Sequence, residues 1–163
     1  MVDMETWLYK KVVFAGTFDH LHEGHKYLLR TAMKLGEYVG IGLTTDKLHE
    51  NKKGREKIQD FEERKQALID FFKEENATER YEFFPIETKE GGADKMEDLE
   101  ALIISDEISV VNNAFEINEL RAQNGLTRFH ILIIPRVRTD DGRPLSSSRI
   151  RDGESFQGAK LVQ

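Results

Sequence analysis

The chain has 163 residues, of which 39% are hydrophobic and 33% charged, and its formal net charge is -6. This length suits one domain with a proper core, and the acidic charge argues against general binding to nucleic acid. No apolar run approaches the roughly 18 residues of a membrane helix, and the N-terminus does not resemble a signal peptide. Because the chain has no cysteine, the simplest prediction is a cytoplasmic protein without disulfides.

The first structural pattern is a buried strand that leads into a helix. The apolar run 12–14 predicts a strand over 11–15, and the leucine spacing that follows predicts a helix over 23–35. His22 and His25 fall in the first turn of this helix, three residues apart and on about the same face. First-turn N–H groups lack helical partners and the helix dipole is positive there, so the turn predicts a phosphate site lined by two histidines.

Two glycines flank this turn, and the residues alone leave its function open. Gly16 and Gly24 lack side chains at points where a ligand would approach the backbone closely. His22 and His25 could instead coordinate a metal, although the chain has no cysteine and no third ligand at short spacing. They could also be purely structural, as a helix cap or a packed ring.

Strands and helices alternate along the rest of the chain. Apolar runs and helical spacing predict strands over 38–43, 81–86, 101–105 and 129–134, and helices from about Asp60, over 114–123 and over 147–153. This alternation predicts an α/β fold, a Rossmann-like doubly wound five-stranded parallel sheet in a single domain. The domain is expected to span 11–155, with a leader at 1–10 and a tail at 156–163.

Two polar segments carry the cations that could bind phosphate. Residues 49–59 are either a solvated loop or a mobile cationic flap over a phosphate site. Residues 136–151 contain five arginines together with Ser146, Ser147 and Ser148. No aromatic residue is interleaved with them, which disfavours single-stranded nucleic acid and favours polyphosphate as the ligand.

Two segments resemble the signatures of the nucleotidyltransferase superfamily. Residues 16–25, GTFDHLHEGH, resemble its HxGH motif, and residues 145–151, LSSSRIR, resemble its ISSTxxR motif. Over 11–153 the chain is similar to the archaeal-type phosphopantetheine adenylyltransferases. The further points of match are the TTDK turn with a lysine-rich loop after it, FEERKQAL, INELR and DDGRPLSSSRIRDGE.

The resemblance implies an enzyme that transfers the adenylyl group of ATP to 4′-phosphopantetheine and releases dephospho-coenzyme A and pyrophosphate. It implies that His22, His25 and Arg151 are catalytic. It also implies that ATP is bound by Gly16, Phe18, His25, Asn118, Ser146, Ser147, Ser148 and Arg151. Thr17 and either Lys52 or Lys53 are expected to hold the acceptor. Magnesium is expected to accompany ATP, held mainly by phosphates and water, with no metal site in the protein itself.

The chain departs from the family pattern after the fourth strand. The similar archaeal proteins carry Gly-Ala in this region, whereas this chain has residues 108–114, ISVVNNA, without that glycine. Asn118 and Arg121 match the Asn-x-x-Arg that follows. Two other functions stay open: transfer of a nucleotide to another small phosphate acceptor, such as flavin mononucleotide or glycerol phosphate, and nucleotide sensing without catalysis. The sequence indicates neither the pantetheine pocket nor the oligomeric state.

Overall fold

The computed structural model describes residues 7–77, 79–88, 90–154 and 161–162. Helices and strands alternate through most of this length, as the sequence predicts. In chain order they are β1 (Tyr9–Gly16), α1 (Glu23–Leu35), β2 (Gly36–Thr44), α2 (Phe61–Glu74), β3 (Tyr81–Ile86), β4 (Ala101–Ser105), α3 (Ile108–Gln123), β5 (His130–Ile134), β6 (Arg138–Thr139), α4 (Ser147–Arg151) and β7 (Leu161–Val162).

The five main strands form one parallel sheet in the order β3-β2-β1-β4-β5. This confirms the predicted Rossmann-like α/β fold. From β1 the chain adds β2 and then β3 on one side of the sheet. It then crosses to the other side of β1 and adds β4 and β5. The order therefore reverses between β1 and β4, which is where doubly wound sheets bind their ligands. At the outer strands, β3 contains Pro85 and β5 exposes 46% of Ile133.

Alternation along the central strand supplies a core on each face of the sheet. Val12 and Phe14 pack into one cluster with residues of α1 and α2. Val13 points the other way and joins a second cluster with Leu102 and with Ile117 of α3. Successive side chains of a strand lie on opposite faces, so a strand covered on both sides must be apolar at every position. That requirement explains the continuous run that predicted β1.

Helix α1 has the predicted bounds, whereas β1 starts earlier than predicted. It begins at Tyr9, inside the segment predicted as a leader. The rest of that leader at 1–6 and most of the predicted tail lie outside the described residues. The tail does contribute β7, which pairs with β6 in an antiparallel two-stranded sheet.

Helix α3 begins at Ile108, six residues before the predicted start at 114. The predicted start of this helix is therefore wrong. β-branched residues such as Val110 and Val111 have weak helix propensity. In the structure both pack against the second core cluster, so tertiary packing outweighs local propensity.

The polar segment 49–59 is not one open loop. It contains the end of a short 3-10 turn at Asp46–His49 and a second one at Arg55–Lys57. Its last residues lead to Asp60, whose side chain accepts the N–H of Glu63 and caps α2. Among the described helices, none is long and apolar enough to cross a membrane.

Candidate active site

A polar cavity of about 350 Å³ lies at the carboxyl ends of β1 and β4. It sits beside the reversal of strand order, as expected for a ligand site in this fold. All but two of the predicted site residues line it, namely Gly16, Thr17, Phe18, His22, His25, Lys52, Ser146, Ser147, Ser148 and Arg151. The two that the cavity lining does not include are Lys53 and Asn118.

The turn that joins β1 to α1 has an unusual backbone. Phe18 and His20 have φ angles of 54° and 47°, which costs on the order of 1 kcal/mol or more for residues other than glycine. Packing of the buried Phe18 ring offsets this cost: its centroid lies 5.0 Å from that of Phe14 and 5.4 Å from that of His25. The conformation turns Asp19 inward, where it is 1% exposed.

The two histidines cap the first turn of α1 with crossed hydrogen bonds. His22 Nδ1 accepts the backbone N–H groups of Gly24 and His25 at 3.1 and 3.4 Å, and His25 Nδ1 accepts the N–H of His22 at 3.3 Å. The rings are stacked with centroids 3.8 Å apart. The prediction that first-turn amides are free to bind an anion is therefore wrong at these positions. The Nδ1 atoms of the two imidazoles accept hydrogen bonds from those amides instead.

This capping determines where each ring carries its proton. Burial lowers the pKa of His22 to about 4. Burial and the neighbouring His22 also lower the pKa of His25 well below 6.5. Both rings are therefore neutral at pH 7 in the ligand-free protein. Since Nδ1 accepts a hydrogen bond in each, the neutral tautomer has its proton on Nε2, and each ring is an N–H donor.

Glycine is required at position 24 by the cap itself. A Cβ there would lie 2.8 Å from Cε1 of the His22 ring, and one at Gly16 would lie 3.4 Å from the Phe18 ring. Both glycines also line the cavity. The atoms nearest to them nevertheless belong to the His22 and Phe18 rings. The two glycines therefore make room for these rings of the turn before they make room for a ligand.

The second signature is joined to the first through Asp19. Arg151 Nη1 donates to Asp19 Oδ2 at 2.6 Å, and Ser147 Oγ donates to the backbone carbonyl of Asp19, also at 2.6 Å. Arg151 Nη2 donates to Ser148 Oγ, while Ser146 Oγ accepts the N–H of Arg149 and caps α4. These bonds fix two segments about 130 residues apart in sequence as one wall. They also support a positioning role for Asp19.

Two further cations face the cavity. Lys52 is one of them, so the structure distinguishes it from Lys53. The other is Arg136, whose Nε donates to Asp106 at 2.8 Å and whose Nη1 donates to Glu107 at 3.4 Å. Burial opposes ionisation of Asp106, but its bonds to Arg136 outweigh this and lower its pKa. Arg136 belongs to the arginine-rich segment 136–151 that the sequence analysis proposed for polyphosphate binding, and its position directly after β5 places it at the same edge of the sheet.

A buried arginine holds the two strand ends that frame the cavity. Arg64 of α2 is fully buried and donates to the carbonyls of Thr17 and Thr44 at 3.0 and 2.8 Å. It also donates to the carbonyl of Gln59 and to Asp46. Each nitrogen of the guanidinium therefore has at least one protein acceptor, as a buried arginine requires. The signal in the sequence is its spacing, because Arg64 falls on the apolar stripe of α2.

Asn118 serves the opposite end of the sheet. Its amide donates to the carbonyl of Phe129 and accepts the N–H of the same residue, both at 2.9 Å. Phe129 directly precedes β5, at the amino ends of the strands, away from the cavity. We therefore assign Asn118 no contact with ATP. Arg121, the other match in that motif, is 1% exposed and donates to backbone carbonyls that include those of Ala93 and Met96.

A second cavity of about 360 Å³ adjoins the polar one on the α3 side of the sheet. The two share lining residues Ala15, Gly16, Ile104 and Val110. Most of the remaining lining is apolar, and polar side chains such as Ser109 enter at intervals. A ligand with a charged end and an apolar arm could therefore lie across the central strand end.

The sequence profile of the cytidylyltransferase-like family matches residues 13–153. The chain belongs to the cytidylyltransferase-like family. The match covers both signatures and all of the parallel sheet except the first four residues of β1, so the family's sequence features coincide with the elements that build the polar cavity.

Individual proteins are also similar to this chain over most of its length. A phosphopantetheine adenylyltransferase from Methanopyrus kandleri is 43% identical over 152 residues, which cover 92% of this chain and 93% of that protein. One from Thermococcus gammatolerans is 42% identical, with 89% of each chain covered. Among solved structures, an Archaeoglobus fulgidus protein described as of unknown function matches with a TM-score of 0.66 and 28% identity, covering 76% of this chain and 88% of that one.

Proposed function

We propose that this protein transfers the adenylyl group of ATP to 4′-phosphopantetheine, giving dephospho-coenzyme A and pyrophosphate. The observation that carries the proposal is the wall formed by the two signatures, joined through Asp19 and Arg151. It occurs in a chain whose relatives named phosphopantetheine adenylyltransferase are 36–43% identical across most of its length. We keep a cytoplasmic location as part of the proposal.

The main requirement of this reaction is the electrostatic stabilisation of negative charge. A phosphate oxygen of the acceptor attacks the α-phosphorus of ATP, the bond to the β-phosphate oxygen breaks, and pyrophosphate leaves. Because the nucleophile is already an anion, it needs no strong general base. The barrier comes from repulsion between anions and from charge that builds up in the pentavalent transition state, so positioning and hydrogen-bond donors supply the catalysis.

Hydrogen-bond donors that line the polar cavity can supply this stabilisation. His22 and His25 present Nε2–H groups to the nucleotide phosphates, with His25 assigned to the transition state. Neutral donors fixed by a cap need little rearrangement when charge develops. Arg151 and the serines hold the β- and γ-phosphates, for which the planar guanidinium is suited. Lys52 and the Thr17 hydroxyl hold the acceptor phosphate.

ATP is expected to enter as its magnesium complex, so the metal is treated as part of the substrate. In the ranges that the structure describes, no three His, Asp or Glu side chains converge to form a metal site. Asp19, the buried carboxylate of the cavity, is bonded to Arg151. We propose that phosphate oxygens and water hold the magnesium ion of this complex.

The apolar cavity is suited to bind the pantetheine chain of the acceptor, its arm. Pantetheine is a flexible chain of methylene, methyl and amide groups, which an apolar groove with spaced polar side chains can bury. The two cavities share Ala15 and Gly16, which supports a ligand that extends from one cavity into the other. We therefore propose that the arm lies in the apolar cavity and the phosphate in the polar one.

The test is direct. Purified protein with ATP, magnesium and 4′-phosphopantetheine should yield equal amounts of pyrophosphate and dephospho-coenzyme A, and CTP should not replace ATP. Product with flavin mononucleotide or glycerol phosphate instead would replace the acceptor but retain the reaction class. Nucleotide binding without product from any acceptor would point to a sensor.

A further inference from the structure

A line of three side chains connects the polar cavity to a buried histidine. Thr44 Oγ1 lies 3.1 Å from Oγ1 of Thr17 and 2.9 Å from Nε2 of His49. Thr17 lines the cavity, whereas His49 lies behind it and is 8% exposed. The proposed reaction does not use His49, and nothing in the sequence pattern singled it out.

The hydrogen-bond directions of the three side chains depend on one another, because each group has a limited number of protons. A hydroxyl has one proton to donate and two lone pairs to accept with. The two protons of Arg64 Nη1 go to the carbonyls of Thr17 and Thr44, so its 3.4 Å contact with Thr44 Oγ1 is the weakest of the three. The single proton of Thr44 has Thr17 Oγ1 and His49 Nε2 as its described acceptors, so Thr44 donates to one of them and can accept from the other. The direction of the Thr44–Thr17 bond is set by whether His49 Nε2 carries a proton.

The two arrangements differ at the cavity. If Nε2 of His49 is protonated, it donates to Thr44, Thr44 donates to Thr17, and the proton of Thr17 can point to a phosphate. If Nε2 is bare, Thr44 donates to it and accepts from Thr17. The Thr17 hydroxyl then presents only lone pairs to the cavity, and these repel an anion.

We propose that His49 is a positioning residue for the acceptor phosphate: its Nε2–H acts through Thr44 to make the Thr17 hydroxyl a donor into the cavity. This inference rests on the proposed role of Thr17. Burial, with Arg64 and Lys52 nearby, lowers the pKa of His49. The ring is thus neutral at pH 7, and its tautomer sets the direction.

Kinetics with both substrates test the proposal. Thr44→Val removes the relaying hydroxyl with little change of shape, and His49→Leu removes the ring donor. Each should raise KM for 4′-phosphopantetheine roughly tenfold, the size of one weakened hydrogen bond to a charged group, with KM for ATP within about twofold. Thr44→Ser and His49→Gln, which keep a donor, should recover most of the loss.

The chain offers a matched control histidine. Nδ1 of His130 lies 2.8 Å from the Tyr9 hydroxyl, but at the amino ends of the strands. His130→Leu should change neither KM. Thermal unfolding of every variant separates a loss of fold from a loss of positioning. Equal rises in the two KM values for His49→Leu would overturn the proposal.

A double variant separates positioning from local packing. In a Thr17→Val background there is no hydroxyl left to orient, so His49→Leu should add little further loss of acceptor affinity. If the two losses simply multiply, His49 acts independently of Thr17 and the proposal fails.

A spectroscopic test does not depend on the identity of the acceptor. Nitrogen-15 spectra of the histidine rings, assigned with His49→Gln, should show His49 as the Nε2–H tautomer at neutral pH. A bare Nε2 would overturn the relay even if the enzyme is active. If the wild type makes no dephospho-coenzyme A, the proposed function fails, and the same spectra still decide the direction of the relay.

Discussion

The two cavities that meet at Ala15 and Gly16 are built in opposite ways. The polar cavity takes most of its donors from two short segments, 16–25 and 146–151. The lining of the apolar cavity is spread over four strands, α3 and the loop after β3. Phosphate chemistry needs donors in fixed positions, and local caps and turns fix them, so the residues recur at set spacings. Apolar contact can be supplied by many side chains and leaves no such motif.

The largest expected effect falls on the polar side. Removing the Nε2 donor by His25→Ala should lower turnover roughly a hundred- to thousandfold, as for other transition-state donors. His25→Asn can still accept the N–H of His22 but lacks the Nε2 donor, so it should lose a similar factor while unfolding near the wild-type temperature. Near-normal turnover in a folded His25→Asn protein would remove His25 from the catalytic site.

Filling the apolar cavity should affect only the acceptor. Ser109 lies at an exposed position on its wall, so Ser109→Trp can occupy the groove from its rim. We expect KM for 4′-phosphopantetheine to rise roughly tenfold, equivalent to about two methylene groups left in water, with KM for ATP unchanged. Asn112→Trp, on the same helix but outside the cavity lining, is the control. A rise in KM for ATP alone would assign this cavity to the nucleotide.

The two adjacent lysines allow a closer comparison. Lys52 lines the polar cavity and Lys53 does not. Lys52→Ala should weaken acceptor use by a factor of a few, about 1 kcal/mol for a partly solvated charge, and Lys53→Ala should have almost no effect. The measurement is kcat/KM for each substrate at two salt concentrations. Equal small effects from both variants would mean that the segment is only a solvated loop.

The last prediction concerns how the stability of the fold depends on pH. The pKa of His22 is about 4 in the folded protein and near 6.5 when unfolded, so the unfolded state takes up the proton first as pH falls. The free energy of unfolding should therefore decrease from pH 6.5 to 4. His22→Asn keeps a capping side chain and removes the titration. Its urea unfolding should show a shallower decrease over this window. Parallel curves would show that the buried ring does not contribute.

Much of this site could be predicted from sequence because it is local. The capped turn at 22–25 and the serines of α4 depend on neighbours a few residues away. By contrast, Asn118 matches a family motif but bonds Phe129 at the other end of the sheet, and only the fold shows this. His49 is linked to Thr17 through Thr44, and Arg136 is bonded to Asp106, because particular strands are neighbours in the sheet. The early start of α3 shows the same limit, since packing on the core decides it.

The two outer strands of the sheet differ in how they resist aggregation. Pro85 of β3 has no N–H to offer a further strand, and Glu82 adds charge, both common protections of an edge. In the part of the chain described, no strand covers the outer side of β5, where Ile133 is 46% exposed. Concentrated protein should therefore self-associate through β5 before β3. Ile133→Lys should reduce light scattering on heating, whereas a lysine added to β3 should change it little.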